Sequence, residues 1–187
     1  MIPKSSLSVT DYALYKIIFL LPPLWKQKLS RHLFNRLYYS RSENAMRIRS
    51  SISSIFFRSF RSGSYIKHCV ELRSPEKISI GRNVSINSFV TLNGKGEIQI
   101  EDDVRIAMYS SIISTNHNYG NNKLVRLQGQ TNKKVVIQKN CWLGSNSVIL
   151  PGVTIGENSV IGANTTVSKN VPPNSLVVGS KVRLISR

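Results

Sequence analysis

The chain has 187 residues, 41% of them hydrophobic, which suits one ordinary domain with a moderate extension and excludes global disorder. Lys and Arg outnumber Asp and Glu by 26 to 9, a net charge of +17, so the expected partners are polyanions: nucleic acid, acidic lipid headgroups or phosphorylated small molecules. The two cysteines, Cys69 and Cys141, form neither a metal spacing nor a disulfide framework, which points to a reducing compartment.

Residues 1–65 form a basic, largely helical region with eleven basic and two acidic side chains. Thr10 is placed to cap a helix running toward Pro22. The apolar run "YALYKIIFLLPPLW", Tyr12 to Trp25, contains Lys16 and is cut by Pro22 and Pro23; it matches neither a bilayer span nor a secretory signal. Trp25, Leu29, Leu33 and Leu37 then recur four apart, opposite Lys26, Lys28, Arg31 and Arg36. A third stripe takes Ile48, Ile52, Ile55 or Phe56, and Phe60, with Gly63 as its stop. Such stripes either pack on the end of the following domain and hide a sheet edge, or also lie on an anionic membrane.

From residue 66 to 187 the chain becomes β-rich and periodic. "IGRNVS" and "INSFVT" open at Ile80 and Ile86, "IEDDVR" and "IAMYSS" at Ile100 and Ile106. Six unbroken units follow from Ile137: "IQKNCW", "LGSNSV", "ILPGVT", "IGENSV", "IGANTT" and "VSKNVP". Each opens with Ile, Leu or Val, and its fifth place is small or β-branched: Cys141, Ser147, Val153, Ser159, Thr165, Val171. A period of six with two inward places describes a chain that turns a corner after every short strand, three strands to a triangular coil, coils stacked at about 4.8 Å. Glycine at the second place (Gly144, Gly156, Gly162) suits the neighbouring turn through its tolerance of positive φ. The period slips twice. Leu92 to Ile100 spans eight residues, and Ile112 to Ile137 spans 25, the latter holding a polar, Asn- and Gly-rich loop at about 114–136 that contains His117.

These repeats resemble the hexapeptide-repeat acyltransferases, whose fold is a left-handed parallel β-helix. The words "IGRNVSIN", "STNH", "NCWLGSNSVILPGVTIGENSVIGA" and "VSKNVPPN" are most similar to the galactoside, maltose and nodulation-type sugar O-acetyltransferases. The fold class is therefore expected to be mainly β, a left-handed parallel β-helix behind an N-terminal α-helical region. The resemblance further implies a homotrimer, with each acetyl-CoA groove between two subunits and a loop histidine facing it. On that pattern His117 is the general base for a sugar hydroxyl, a role neutral imidazole fits because its ordinary pKa of about 6.5 lies near working pH. The Ser145 backbone N–H is the oxyanion donor. Asn87 holds a sugar hydroxyl or caps its own turn, and Trp142 walls the pantetheine channel or packs against another subunit. Gly144, Ser145, Ala163 and Ser168 meet the pantetheine arm, and Lys169 and Arg183 the phosphates. A backbone carbonyl, Glu101 or Glu157 is left to orient His117. The tail departs from the family at Lys181, where proline is common.

Other classes remain in view. A carbonic-anhydrase-like zinc site needs three histidines on neighbouring coils, whereas His32, His68 and His117 are scattered, so no metal is expected. Nucleic-acid binding rests on charge and on Tyr38 and Tyr39 beside Arg36 and Arg41, which is little. A structural trimer without activity is a third option. Among acceptors, a free sugar, a nucleotide-linked amino sugar, serine and a lipid-linked glycan compete. The basic N-terminal region favours a surface-polysaccharide precursor, O-antigen or capsule, made on the cytoplasmic side with peripheral contact to the inner face of the membrane.

Overall fold

A computed structural model describes residues 9–120 and 123–179: three helices, then short parallel strands wound into a solenoid with three faces. The helices are α1 (Val9–Ile18), α2 (Pro23–Arg36) and α3 (Glu43–Phe56). Proline opens α2, where a missing N–H is harmless, and Ser42 caps α3 by accepting from Ala45 N at 3.2 Å. Thr10 lies within the first turn of α1, since the helix already begins at Val9, so it is not the cap. Leu33, Leu37, Ile48, Ile52 and Phe56 are buried and belong to the same core as the solenoid, with Phe34 meeting Phe56 edge-on at 5.5 Å. Trp25 leaves that stripe and faces outward. Phe60 and Gly63 are not part of a helix; Ser59–Phe60 is the first solenoid strand and Gly63 turns the chain after it at φ +76°. Among the described residues no helix is long and apolar enough to cross a membrane.

Arg49 pins the helices to the first coil. Its buried guanidinium donates to the carbonyls of Leu37 at 2.6 Å, Ser40 at 3.0 Å and Ile66 at 3.4 Å. Burial pushes its pKa down to about 10, so it stays cationic at neutral pH, and the charge-assisted bonds offset part of the desolvation.

The first face stacks Ser59–Phe60, Ile78–Ile80, Ile98–Ile100, Val135–Ile137 and Thr154–Ile155. The second runs Tyr65–Ile66, Ser85–Ile86, Arg105–Ile106, Trp142–Leu143, Val160–Ile161 and Leu176–Val177. The third runs Glu71–Arg73, Thr91–Asn93, Ser111–Ile113, Val148–Ile149 and Thr166–Val167. Register is in phase, so first-place residues stack: Ile86 on Ile106, Ile106 on Leu143, Leu143 on Ile161. The first-place residues from Ile137 to Val167 are buried, as are the fifth-place ones from Cys141 to Thr165. Fifth-place hydroxyls and the thiol have partners inside: Ser64 Oγ donates to Gly81 O at 2.7 Å, Ser110 Oγ to Gly144 O at 3.0 Å, and Cys141 Sγ to Gly156 O at 3.1 Å. Val171 departs from its expected fifth place. It bridges Ile155 as a first-place residue, because the corner after Val167 is two residues short.

The turns correct the role given to glycine. Positive φ falls on the fourth place, at Asn83, Phe89, Asp103, Tyr109, Asn140, Asn146, Asn158 and Asn164, and at Gly152. Asparagine tolerates this conformation best among side-chain-bearing residues, and its amides pair along the stack: Asn140 Nδ2 to Asn158 Oδ1 at 3.0 Å, Asn146 Nδ2 to Asn164 Oδ1 at 2.7 Å. Second-place glycine answers a different need. A Cβ on Gly144 would lie 2.6 Å from Ala163 N and 2.8 Å from Ile161 O, so the residue is small to let two coils touch.

Candidate active site

The edge from the third face to the first is where the period breaks. In the first two coils it holds two additional residues, around the 3-10 turn Pro75–Lys77 and around Asn93–Glu97; in the third coil it holds the whole excursion. That excursion leaves as Thr115–His117, returns as Gln130–Asn132, and the two segments pair antiparallel, His117 opposite Gln130. The expected loop is therefore a β-hairpin arm. Asn118 locks its outer end, donating from its backbone to Gly129 O at 3.1 Å and from Nδ2 to Gln128 O at 3.0 Å.

The arm is seated on the bulge of the coil below. Ser114 Oγ donates to Asn93 O at 2.6 Å and accepts from Gly96 N at 2.8 Å, and Lys133 N donates to Ser114 O at 2.9 Å. A side chain on Gly96 would overlap Ser114 O. The two slips of the sequence period are thus one structure, the first serving as the seat of the second.

Lys95, in the same bulge, donates from Nζ to Gln130 Oε1. That bond leaves the Gln130 amide NH₂ facing His117 Nε2 at 3.1 Å. With the amide as donor, Nε2 carries the lone pair and the proton resides on Nδ1. Neither acid left open as orienting partner takes this role. Glu101 accepts from Lys139 N at 3.1 Å and Glu157 pairs with Lys139 Nζ at 3.0 Å, both at the edge between the first and second faces. Gln130, 13 residues from His117, and Lys95, 35 residues from the Gln130 it holds, were not legible in these roles; only the odd interval at 92–100 hinted that something sat there.

His117 lies in an open cleft of about 500 Å³, with Lys133, Leu150, Pro151 and Ser168 among its lining. Lys169 is exposed next to Ser168. The other expected site residues are on a different edge, between the second and third faces. Gly144 is buried there, and Ser145 and Ala163 are exposed. The Ser145 carbonyl accepts from Asn164 N at 2.9 Å, but its own N–H makes no bond among the described residues. Equivalent N–H groups on the edge between the first and second faces are capped, Arg82 by Asp102, Lys139 by Glu101 and Glu157 by Gln138. Asn87 shares the Ser145 edge; its Nδ2 donates to Ile106 O at 2.7 Å, leaving Oδ1 for another donor. Trp142 is exposed on the second face between Arg105 and Val160. Arg183 and Lys181 lie outside the described residues. Among the described residues no cluster of His, Cys, Asp and Glu is placed to hold a metal ion.

A solenoid with an arm at its third coil defines a class, and comparison with known proteins agrees with it. Residues 134–169 match the family described as bacterial transferase hexapeptide (six repeats). Galactoside O-acetyltransferase of Escherichia coli is 33% identical over 138 residues, covering 73% of this chain and 67% of that protein. A putative lipopolysaccharide biosynthesis O-acetyltransferase of the same organism is 29% identical over 115 residues, covering 56% of this chain and 58% of its own length. A galactoside acetyltransferase solved in complex with coenzyme A superposes with a TM-score of 0.71 at 30% identity, over 88% of this chain and 81% of that one. The chain belongs to the hexapeptide-repeat acyltransferases, as a relative of the galactoside and maltose O-acetyltransferases.

Proposed function

We propose that this protein transfers an acetyl group from acetyl-CoA to a hydroxyl of a sugar in a surface-polysaccharide precursor, such as an O-antigen or capsule repeat, with His117 as general base. The observation that carries this reading is the division of the site between two edges of one prism. The imidazole stands on the arm, while the Ser145 N–H, without a partner among the described residues, stands on another edge with exposed small residues beside it. A homotrimer in which the arm of one copy meets the Ser145 edge of the next completes both halves.

In that arrangement a sugar hydroxyl takes the place of the Gln130 amide at His117 Nε2. As the hydroxyl oxygen attacks the thioester carbonyl, Nε2 takes its proton. Ser145 N–H, from the adjacent copy, faces the oxygen that becomes negative. The carbon–sulfur bond then breaks, and the imidazolium returns its proton to the departing thiolate, leaving an acetylated sugar and free coenzyme A. The flat surface of Ser145 and Ala163, with Gly162 between them, suits a pantetheine arm laid along the backbone, and Lys133 and Lys169 suit its phosphates. Asn87 Oδ1 is free to accept from the sugar. The polysaccharide assignment is supported by the likeness to sugar O-acetyltransferases, one of them described for lipopolysaccharide biosynthesis.

Release of coenzyme A from acetyl-CoA, measured against a panel of sugar acceptors, tests the proposal. His117→Ala should lose roughly 10²–10⁴-fold while the chain stays folded; an unimpaired variant overturns the mechanism. Co-expression of His117→Ala with Ser145→Pro chains tests the division between copies. Each alone should be inactive and the mixture should regain activity; failure to complement removes the shared site.

A further inference from the structure

The outward surface of α1 and of the turn into α2 is apolar. Ile17, Leu20, Leu24 and Trp25 are 49, 85, 78 and 61% exposed, while Ile18 and Leu33 beneath them complete the core. Three lysines surround this patch with their ammonium groups over aromatic rings: Lys16 over Tyr12 at 4.9 Å, Lys26 over Phe19 at 5.9 Å and Lys28 over Trp25 at 6.0 Å. Residues 12–42 contain no Asp or Glu, and Asp11, just before them, is engaged by Arg36 at 3.0 Å. Large apolar side chains exposed together in this way are rarely left to water.

We propose that this surface seats the protein on an anionic lipid bilayer. Leu20, Leu24 and Trp25 enter the headgroup boundary, and Lys16, Lys26 and Lys28 face lipid phosphates. The ten described residues of α1, about 15 Å long, are too short to cross a bilayer, and their exposed face suits a helix lying along its surface. Charge decides between this occupant and a second copy of the chain. A symmetric self-contact would set two rings of lysine against each other with no acid in either patch to meet them, whereas an acidic leaflet supplies the complement. The inference stands apart from the acetyl-transfer reading, because vesicle binding needs neither His117 nor a thioester.

Flotation of the full chain with phosphatidylglycerol-containing vesicles, with pure phosphatidylcholine vesicles as the neutral arm, tests it. The protein should float with the anionic vesicles at low salt and much less at high salt. Replacing Lys16, Lys26 and Lys28 by Gln should lower partitioning about fivefold per lysine. Leu20→Asp with Leu24→Asp should abolish flotation while coenzyme A release with a soluble acceptor is retained, and His117→Ala should float like the parent. In a Trp142→Phe background the Trp25 emission should shift to the blue on anionic vesicles and be quenched by brominated lipid. Absence of flotation at low salt overturns the proposal, as does undiminished binding by the double Asp variant. A smaller oligomer for that variant by light scattering overturns it too, since a second copy would then be what covers the patch.

Discussion

Between Ile137 and Val167, first-place residues follow one another at six throughout; between Leu72 and Ile137 the intervals at the third-to-first edge are eight, eight and 25, while the other two edges keep to six. Both regions bury the same kinds of side chain in the same places. They differ in what leaves the prism. The later coils present closely packed corners with amide ladders. The earlier coils lift a polar arm and its imidazole off one corner. A strict repeat thus keeps the wall smooth, and a polar arm leaves the prism where the chain abandons the repeat without disturbing the inward places.

Removing residues 115–133 would break that division most severely, because it returns the Ile112–Ile137 interval to six. Acetyl transfer should fall by roughly 10³-fold or more, while the melting temperature moves by only a few degrees; a chain that no longer folds would show the arm to be structural. Gly144→Ala acts on the other side of the comparison. Its Cβ would crowd Ala163 N at 2.6 Å, so urea unfolding should report a loss of about 2–3 kcal/mol. Gln130→Glu would sharpen the picture of the arm by placing a carboxylate against the His117 ring. The acid limb of the kcat/KM profile should move up by about one pH unit with the fold unchanged.

The smallest effect concerns His68, packed against the Phe89 ring and 3.1 Å from Ser88 Oγ. Burial holds its ring below the usual histidine value of 6.5, and Arg41, Arg49 and Lys67 push the same way. The fold therefore favours the neutral ring, and the unfolded chain takes up a proton first as pH falls. Stability should decline as pH drops through 6.5, and His68→Gln should flatten that part of the slope in urea titrations at several pH values.

Much of the architecture was legible because the period fixes which side chains face inward. The period alone assigns Ile137, Leu143 and Ile149 to the interior and the interruption around His117 to an edge. What escaped was pairwise in space. No residue pattern announced that Gln130 would face His117, that Lys95 would hold Gln130, or that Gly96 would seat Ser114, since each joins separate coils or the two sides of an arm. The turn chemistry was misassigned for a related reason. Glycine's need at position 144 comes from the coil stacked on it, while the left-handed corner belongs to Asn146, whose amide reaches Asn164. Trp25 kept the spacing of a buried stripe but lies exposed on the outer side of α2.

The arm and its seat enter at a corner where the chain can be lengthened by two residues or by nineteen with no shift in strand register above or below. Such a corner works as a socket. An arm of another length fits there without cost to the wound body, whose ladders and stacked aliphatics stay as they are.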